Sequence, residues 1–297
     1  MSKLADALSQ GRPVLTAECL PPATGDAGAI RQAAAALPAS LDAVVVADNP
    51  EETRGSALAC AAILAAEKRE PVLTLVTRDR NRVALESDVL GAAALGVRNF
   101  LCLSGDHQSL GISPDAAGAY DVDSVQLTQA LCTLAAKGTG FSGSKAAAPK
   151  DMLVGATAHP YLRPMDLNLL RLKKKVRSGA KFLLTQAVFD LAAFGEWMTA
   201  VRAAGLDKQV AIVASVLPLA SVEQARRMQA RKTYGPISDA VIARLEKSPD
   251  AAREGVAIAA EMAAQLKGQA GVRGIHILCG GNESAAARVI QEAGLAR

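Results

Sequence analysis

The chain has 297 residues, 50% of them hydrophobic and 3% aromatic, with 33 basic and 29 acidic side chains and a net charge of +4. This length and apolar content can bury a large aliphatic core, and the evenly mixed charge argues against a nucleic-acid footprint. Five cysteines without a CxxC pair argue against a disulfide framework, and three histidines without HExxH spacing argue against a metal site. No signal peptide and no membrane-length apolar run is read, so a soluble protein of the cytoplasm is expected.

Short aliphatic runs alternate with longer Ala- and Leu-rich helical patterns. Val14-Leu-Thr-Ala-Glu-Cys-Leu-Pro-Pro22 predicts a strand that ends near Leu20, because proline cannot donate to a sheet ladder. A helix is expected over 26–37, then a strand over 41–47 that stops at the turn Asp48-Asn-Pro50. A helix over 54–68 leads to a strand over 71–76, and Thr77-Arg-Asp-Arg-Asn-Arg82 opens a helix ending near Gly96. The next strand, 99–103, closes on Ser104-Gly-Asp-His107, and a helix covers 123–136. Residues 138–149 are rich in Gly, Ser and Ala and read as a mobile loop. Strands follow at 152–157, 181–187, 209–215 and 274–278, with helices over 166–177, 190–204 and 283–293. Residues 221–267 read as a long helical region with a break at Tyr234-Gly-Pro236, and Arg171-Leu-Lys-Lys-Lys-Val-Arg177 reads as a solvated helix face.

Eight apolar strands, each followed by a helix and none by a hairpin signal, predict one (β/α)8 TIM barrel over 1–297. A doubly wound sheet would carry a Gly-rich phosphate turn after its first strand, where Pro21-Pro22 stands instead. Barrel chemistry gathers at the carboxyl ends of the strands, which here bear Glu18, Asp48, Asn49, residues 77–80, Asp106, His107, Thr157, His159, Gln186 and residues 276–282. Glu18, at the end of a buried strand, is the candidate general acid, and Asp106 is a second carboxylate whose environment can hold it ionised. Each also has a purely structural reading. Gln186 can bond between strands, Asp106 can be an Asx-turn residue, Tyr120 can pack on its helix, and His107 and His276 read as surface or packing histidines. Arg78, Arg80 and Arg82 can be helix-start solvation or can hold a phosphate. No lysine stands at the carboxyl end of a strand, since Lys181 starts one, which argues against a Schiff-base aldolase.

The chain resembles the methylenetetrahydrofolate reductase family along nearly its whole length. Ala17-Glu-Cys-Leu-Pro-Pro22 is similar to the family's Glu-Phe-x-Pro-Pro start, and Leu103-Ser-Gly-Asp106 to its Leu-Arg-Gly-Asp. Tyr120-Asp-Val-Asp-Ser-Val125, Ala158-His-Pro160 and the stretch 172–190 match in order and spacing. The variant looks like the short bacterial form, a catalytic barrel alone. The resemblance implies flavin-dependent reduction of methylene- to methyltetrahydrofolate in one-carbon metabolism and methionine biosynthesis. Glu18 would protonate the folate N10, opening the ring to an N5-iminium, and hydride would pass from reduced flavin to the methylene carbon. Asp106 would orient the pterin. Gln186 and Phe189 would contact folate or nicotinamide, which exchange on one flavin face. Asp48, Arg78, Gly105, Asp106, His107, Tyr120, Asp123, His159, Asn168 and Lys175 would hold the flavin. Departures from the family pattern stand at Ser104 (arginine), Ala47 (threonine), Val72 (histidine) and Glu283 (arginine). The implied cofactor is FAD, with FMN or no flavin as alternatives, and the donor is NADH, NADPH or an electron-transfer partner subunit. A homo-oligomer is expected, with no nucleic-acid or membrane partner. A folate-binding subunit that acts only with an electron-transfer or methyltransferase partner is the other reading.

Overall fold

The computed structural model describes residues 2–50, 52–111, 113–231 and 235–296. Strands β1 (Val14–Cys19), β2 (Ala43–Val46), β3 (Pro71–Val76), β4 (Asn99–Leu103), β5 (Leu153–Ala158), β6 (Phe182–Ala187), β7 (Ala211–Val216) and β8 (Val272–Ile277) pair in parallel in chain order. β8 pairs back onto β1, with Thr16 opposite His276, so the sheet closes as the expected (β/α)8 TIM barrel. The strands read as continuous apolar runs because both faces are buried. Val14, Val45, Val72, Leu101, Phe182 and Val213 point inward, while Leu15, Val44, Leu73, Phe100 and Leu183 pack outward under the helices. Alternation along β1 therefore sends Thr16 and Glu18 to the inside.

The surrounding helices are α1 (Lys3–Ser9), α2 (Ala27–Ala36), α3 (Ala57–Ala66), α4 (Arg82–Ala94), α5 (Ser124–Lys137), α6 (Met165–Arg177), α7 (Leu191–Ala203), α8 (Val222–Arg231), α9 (Asp239–Lys247), α10 (Ala251–Lys267) and α11 (Ser284–Glu292). No described helix is long and apolar enough to cross a membrane.

Three features differ from the sequence expectation. The first is α1, which the sequence reading left without structure. It lies across the amino-terminal end of the barrel, where Leu4 and Ala7 join the inward cluster of Val14, Val72 and Phe182. Burying Leu4 there is worth about 2 kcal/mol. Ser2 caps the helix and donates from Oγ to Asn99 Oδ1 at 2.6 Å, and Asn99 Nδ2 donates to Glu70 Oε1 at 2.7 Å. Second, residues 221–267 hold three helices, because Ser238 caps α9 and Asp250 caps α10. The expected break is met at Gly235-Pro236, which stand outside any helix between α8 and α9, while Tyr234 lies outside the described residues. Third, the loop over 138–149 is pinned. Thr139 and Lys145 form a bridge, and the Phe141 N–H donates to Glu86 Oε2 at 2.7 Å.

One irregularity bears on the site. Leu184 pairs with Val213 and Ala187 with Ser215, so β6 carries one residue more than β7 over this interval. The Ser215 N–H fills the gap by donating to Thr185 Oγ1 at 2.9 Å. Such a bulge re-aims side chains at a barrel rim.

Candidate active site

The carboxyl ends of the strands enclose a cavity of about 370 Å³. Its floor is aliphatic, with Val45, Leu101, Leu103, Leu184 and Leu278, and its polar wall includes Glu18, Asp106, His159, Lys175, Thr185 and Gln186. The β6 bulge is the reason Leu184, Thr185 and Gln186, three consecutive residues, all line it. A flat strand would turn Thr185 away.

Glu18 stands at the carboxyl end of β1, half-buried against this cavity. Its Oε2 accepts the backbone N–H of Cys279 at 3.1 Å and of Gly280 at 2.9 Å, both in the turn after β8. Burial raises its pKa above the ordinary carboxylate value, the two amide bonds pull it back in part, and the nearby Glu283 carboxylate pushes it up again. The result is a carboxyl group held in place by main-chain donors yet inclined to keep its proton. Below it, His276 is buried and shares a 2.9 Å hydrogen bond between Nδ1 and Thr16 Oγ1. Burial lowers its pKa to about 3, so it is neutral and packed, as the sequence suggested.

Asp106 lies exposed on the cavity lip after β4. Its carbonyl is clasped from two sides, by Arg78 Nη1 at 3.3 Å and by the Tyr120 hydroxyl at 3.1 Å, which leaves its carboxylate facing the cavity. Gly105 precedes it with φ +82°, and a Cβ there would fall 2.5 Å from Val76 Cγ1, so glycine is required for this turn.

The arginines of the third loop are spoken for. Arg78 forks onto Asp79 at 2.7 and 2.8 Å and donates to Asn49 O at 2.8 Å. Arg80 grips Asp48 bidentately at 2.6 and 3.0 Å and reaches Asp88 at 3.0 Å. Arg82 is bidentate to Asp121 at 2.8 and 2.9 Å. Asp48 also accepts the Val76 N–H at 3.0 Å, so its carboxylate is saturated by β3 and Arg80. These pairs brace the loops after β2, β3 and β4 and offset the charge of the three arginines.

Lys175 on α6 is the cation turned to the opposite wall. Its Nζ donates to Thr157 O at 2.6 Å, and burial lowers its pKa to about 8.

Of the residues singled out in the sequence, Glu18, Asp48, Asn49, Arg78, Gly105, Asp106, Thr157, His159, Lys175, Gln186, His276 and Leu278 come together on the cavity. The others stand behind or beside it. Asn168 is buried and donates to His159 O at 2.9 Å, fixing the loop after β5. Asp123 caps α5 in a reciprocal capping box with Gln126. His107 bonds Ser109 Oγ at 2.8 Å and lies parallel to the Tyr120 ring with centroids 6.5 Å apart. Phe189 is buried with Leu217, Met228 and Ile237 under α8 and α9, apart from the cavity lining. The sequence reading missed Thr185, Ser124 and the role of Glu283, although the Gly280-Gly281 pair after β8 was a signal of close backbone approach.

Two flavin features can be tested against these residues. A flat aliphatic floor under a polar wall suits a planar heteroaromatic ring. A half-buried ammonium bonded to a carbonyl suits an anionic tail. The residues fit such a group, with Lys175 as the cation.

Comparison with known proteins agrees with this geometry. A stretch of 132 residues is 29% identical to the 5,10-methylenetetrahydrofolate reductase of Escherichia coli K12, covering 44% of this chain and 38% of that protein. A stretch of 82 residues is 37% identical to methylenetetrahydrofolate reductase 2 of Saccharomyces cerevisiae, covering 27% of this chain and 13% of that one. The aligned part is thus well under half the length of either relative. A solved structure from Clostridium thermocellum, described as binding two copies of 5-methyl-5,6,7,8-tetrahydrofolic acid, superposes with a TM-score of 0.68 over 99% of this chain and 100% of its own, at 15% identity. The model of the family described as methylenetetrahydrofolate reductase matches residues 3–294, and the chain belongs to that family.

Proposed function

We propose that the protein is a cytoplasmic, flavin-dependent reductase that converts 5,10-methylenetetrahydrofolate to 5-methyltetrahydrofolate at the expense of NADH or NADPH. The observation that carries this reading is Glu18, a carboxyl group with a raised pKa fixed by two amides on an otherwise aliphatic cavity floor. A group of this kind can hand a proton to the folate N10 as the C–N10 bond opens, and its raised pKa keeps that proton to higher pH than an ordinary carboxyl group would. Asp106, across the cavity, would hold the pterin and oppose the positive charge that develops on the N5-iminium. Gln186, aimed by the bulge, would bond the ring edge of whichever substrate is present. Bound flavin would supply the hydride chemistry, with Lys175 holding its anionic part. Binding of methyltetrahydrofolate by the Clostridium thermocellum protein of similar fold supports the substrate class.

The test is an absorbance spectrum of the purified protein, followed anaerobically by NADH and then by methylenetetrahydrofolate. The expected result is a flavin band that bleaches with donor and returns with folate. Folate reduction without any flavin band, even after FAD or FMN is supplied, would overturn the flavin part. That outcome would favour direct hydride transfer from NAD(P)H.

Lys175 makes the flavin part testable by pH. Its ammonium is present below about pH 8 and lost above it. Flavin affinity, followed by fluorescence quenching, should therefore fall as pH rises through about 8, and Lys175→Met should bind weakly with a flat pH profile. An unchanged wild-type affinity across that range would remove Lys175 from the flavin site.

A further inference from the structure

Glu18 and a second acid, Glu283, reach across the seam where the barrel closes. Glu18 on β1 takes the N–H groups of Cys279 and Gly280, which follow β8. Glu283, just before α11 and also beyond β8, takes the Leu20 N–H that follows β1, from its Oε1 at 3.1 Å. Each carboxyl group thus bonds the main chain of the other's strand end, and Glu283 is itself buried at 7% exposure. A buried acid paired with a backbone amide and no cation is costly for stability alone, since the same bond could be made by an uncharged amide side chain.

We propose that Glu283 is a positioning residue for Glu18, closing the β1–β8 seam with it and keeping a proton on Glu18 through its own negative charge. This rests on Glu18 acting as the general acid. The other groups around Glu18 do not offer that charge. From β8 come the neutral His276 ring and the Cys279 thiol, which burial and the two glutamates push up toward its neutral form. A side chamber of about 460 Å³ adjoins Glu18, lined by Glu52 paired with Arg54 and by Arg227 and Arg231 of α8. Burial and the Glu283 carboxylate both raise the Glu18 pKa, against the two amide bonds that lower it.

Glu283→Gln tests this, because the amide oxygen can still accept the Leu20 N–H while the charge is gone. Titration of Glu18 is read directly by carboxyl carbon NMR of glutamate-labelled protein, with the Glu18 signal identified by its absence in Glu18→Gln. The expected result is that Glu18 titrates at lower pH in Glu283→Gln. The alkaline limb of the folate half-reaction should move the same way, with roughly tenfold lower rate above the limb for each unit of movement. The rate at low pH should be restored and flavin reduction by the donor unchanged. An unmoved Glu18 titration overturns the inference whatever the activity. A titration that moves in Glu283→Gln, while the wild-type protein fails to reduce folate, leaves the inference standing and sinks the general-acid reading instead. If Glu283→Gln is poorly folded, Glu283→Asp, which keeps the charge, should hold the Glu18 titration at its wild-type value, and a shift there equally overturns the proposal.

Discussion

Glu18→Gln should slow the folate half-reaction by roughly 10²- to 10⁴-fold, the usual worth of a positioned general acid, while leaving flavin reduction by the nicotinamide donor close to wild type. Glutamine keeps an oxygen for the Cys279 and Gly280 amides, so the barrel seam stays closed and the loss isolates the proton. The sign with pH follows from the raised pKa. A general acid works while protonated, so wild-type folate reduction should hold on the acid side and fall as pH rises through the Glu18 pKa. Stability runs the same way. A carboxyl group whose folded pKa exceeds its unfolded value favours the native state below the unfolded pKa, and that advantage is lost as pH rises through the folded one. Above that point Glu18→Gln should melt at or above the wild-type temperature, because it no longer desolvates a charge. Stopped-flow measurement of the two half-reactions decides the matter, and equal slowing of both would remove Glu18 from the acid role.

Gly274→Ala should be the most damaging small substitution at the barrel seam. Gly274 pairs with Val14 across β8 and β1, and a Cβ on it would lie 2.3 Å from the Val14 carbonyl oxygen. That oxygen belongs to the main chain and cannot rotate away, so the strands must part. Overpacking of this kind costs about 3 kcal/mol, enough to move the midpoint of urea unfolding well outside error. The variant should also bind folate weakly, since Thr16, His276, Glu18 and Gly280 are all set by the register of these two strands. A variant as stable as wild type would mean that the seam is more compliant than its geometry implies.

The barrel was legible because its strands are buried on both faces, so Ala43-Val-Val-Val46 and Pro71-Val-Leu-Thr-Leu-Val76 announce themselves without alternation. Helix α1 was not, because only Leu4 and Ala7 of its seven residues turn inward, too few for a periodic signal. Within 221–267 the break at Gly235-Pro236 was legible, but the second division, before α10, lay in the cap Asp250, an ordinary polar residue until its amide partner is seen. Glu18, Asp106 and Gln186 could be placed at the mouth from strand order alone, and Lys175, on a helix, only through the family resemblance. What makes Glu18 an acid could not, since its amide donors and Glu283 lie some 260 residues away in sequence. The commitment of Arg80 to Asp48 is likewise a contact between loops, and the bulge at Thr185 is invisible in a strand-like run of six residues.

The helix that stoppers the amino-terminal end has a consequence for traffic. With Leu4 and Ala7 seated against Val14, Val72 and Phe182, side chains close the amino-terminal end of the barrel. Molecules then enter and leave at the carboxyl end, where Glu18, Asp106 and Gln186 line the cavity. A donor and an acceptor that used the same wall would therefore take turns, and under the proposed function the spent nicotinamide would clear before folate entered. Alternation of substrates in this protein would then be imposed by plumbing, with no moving gate required.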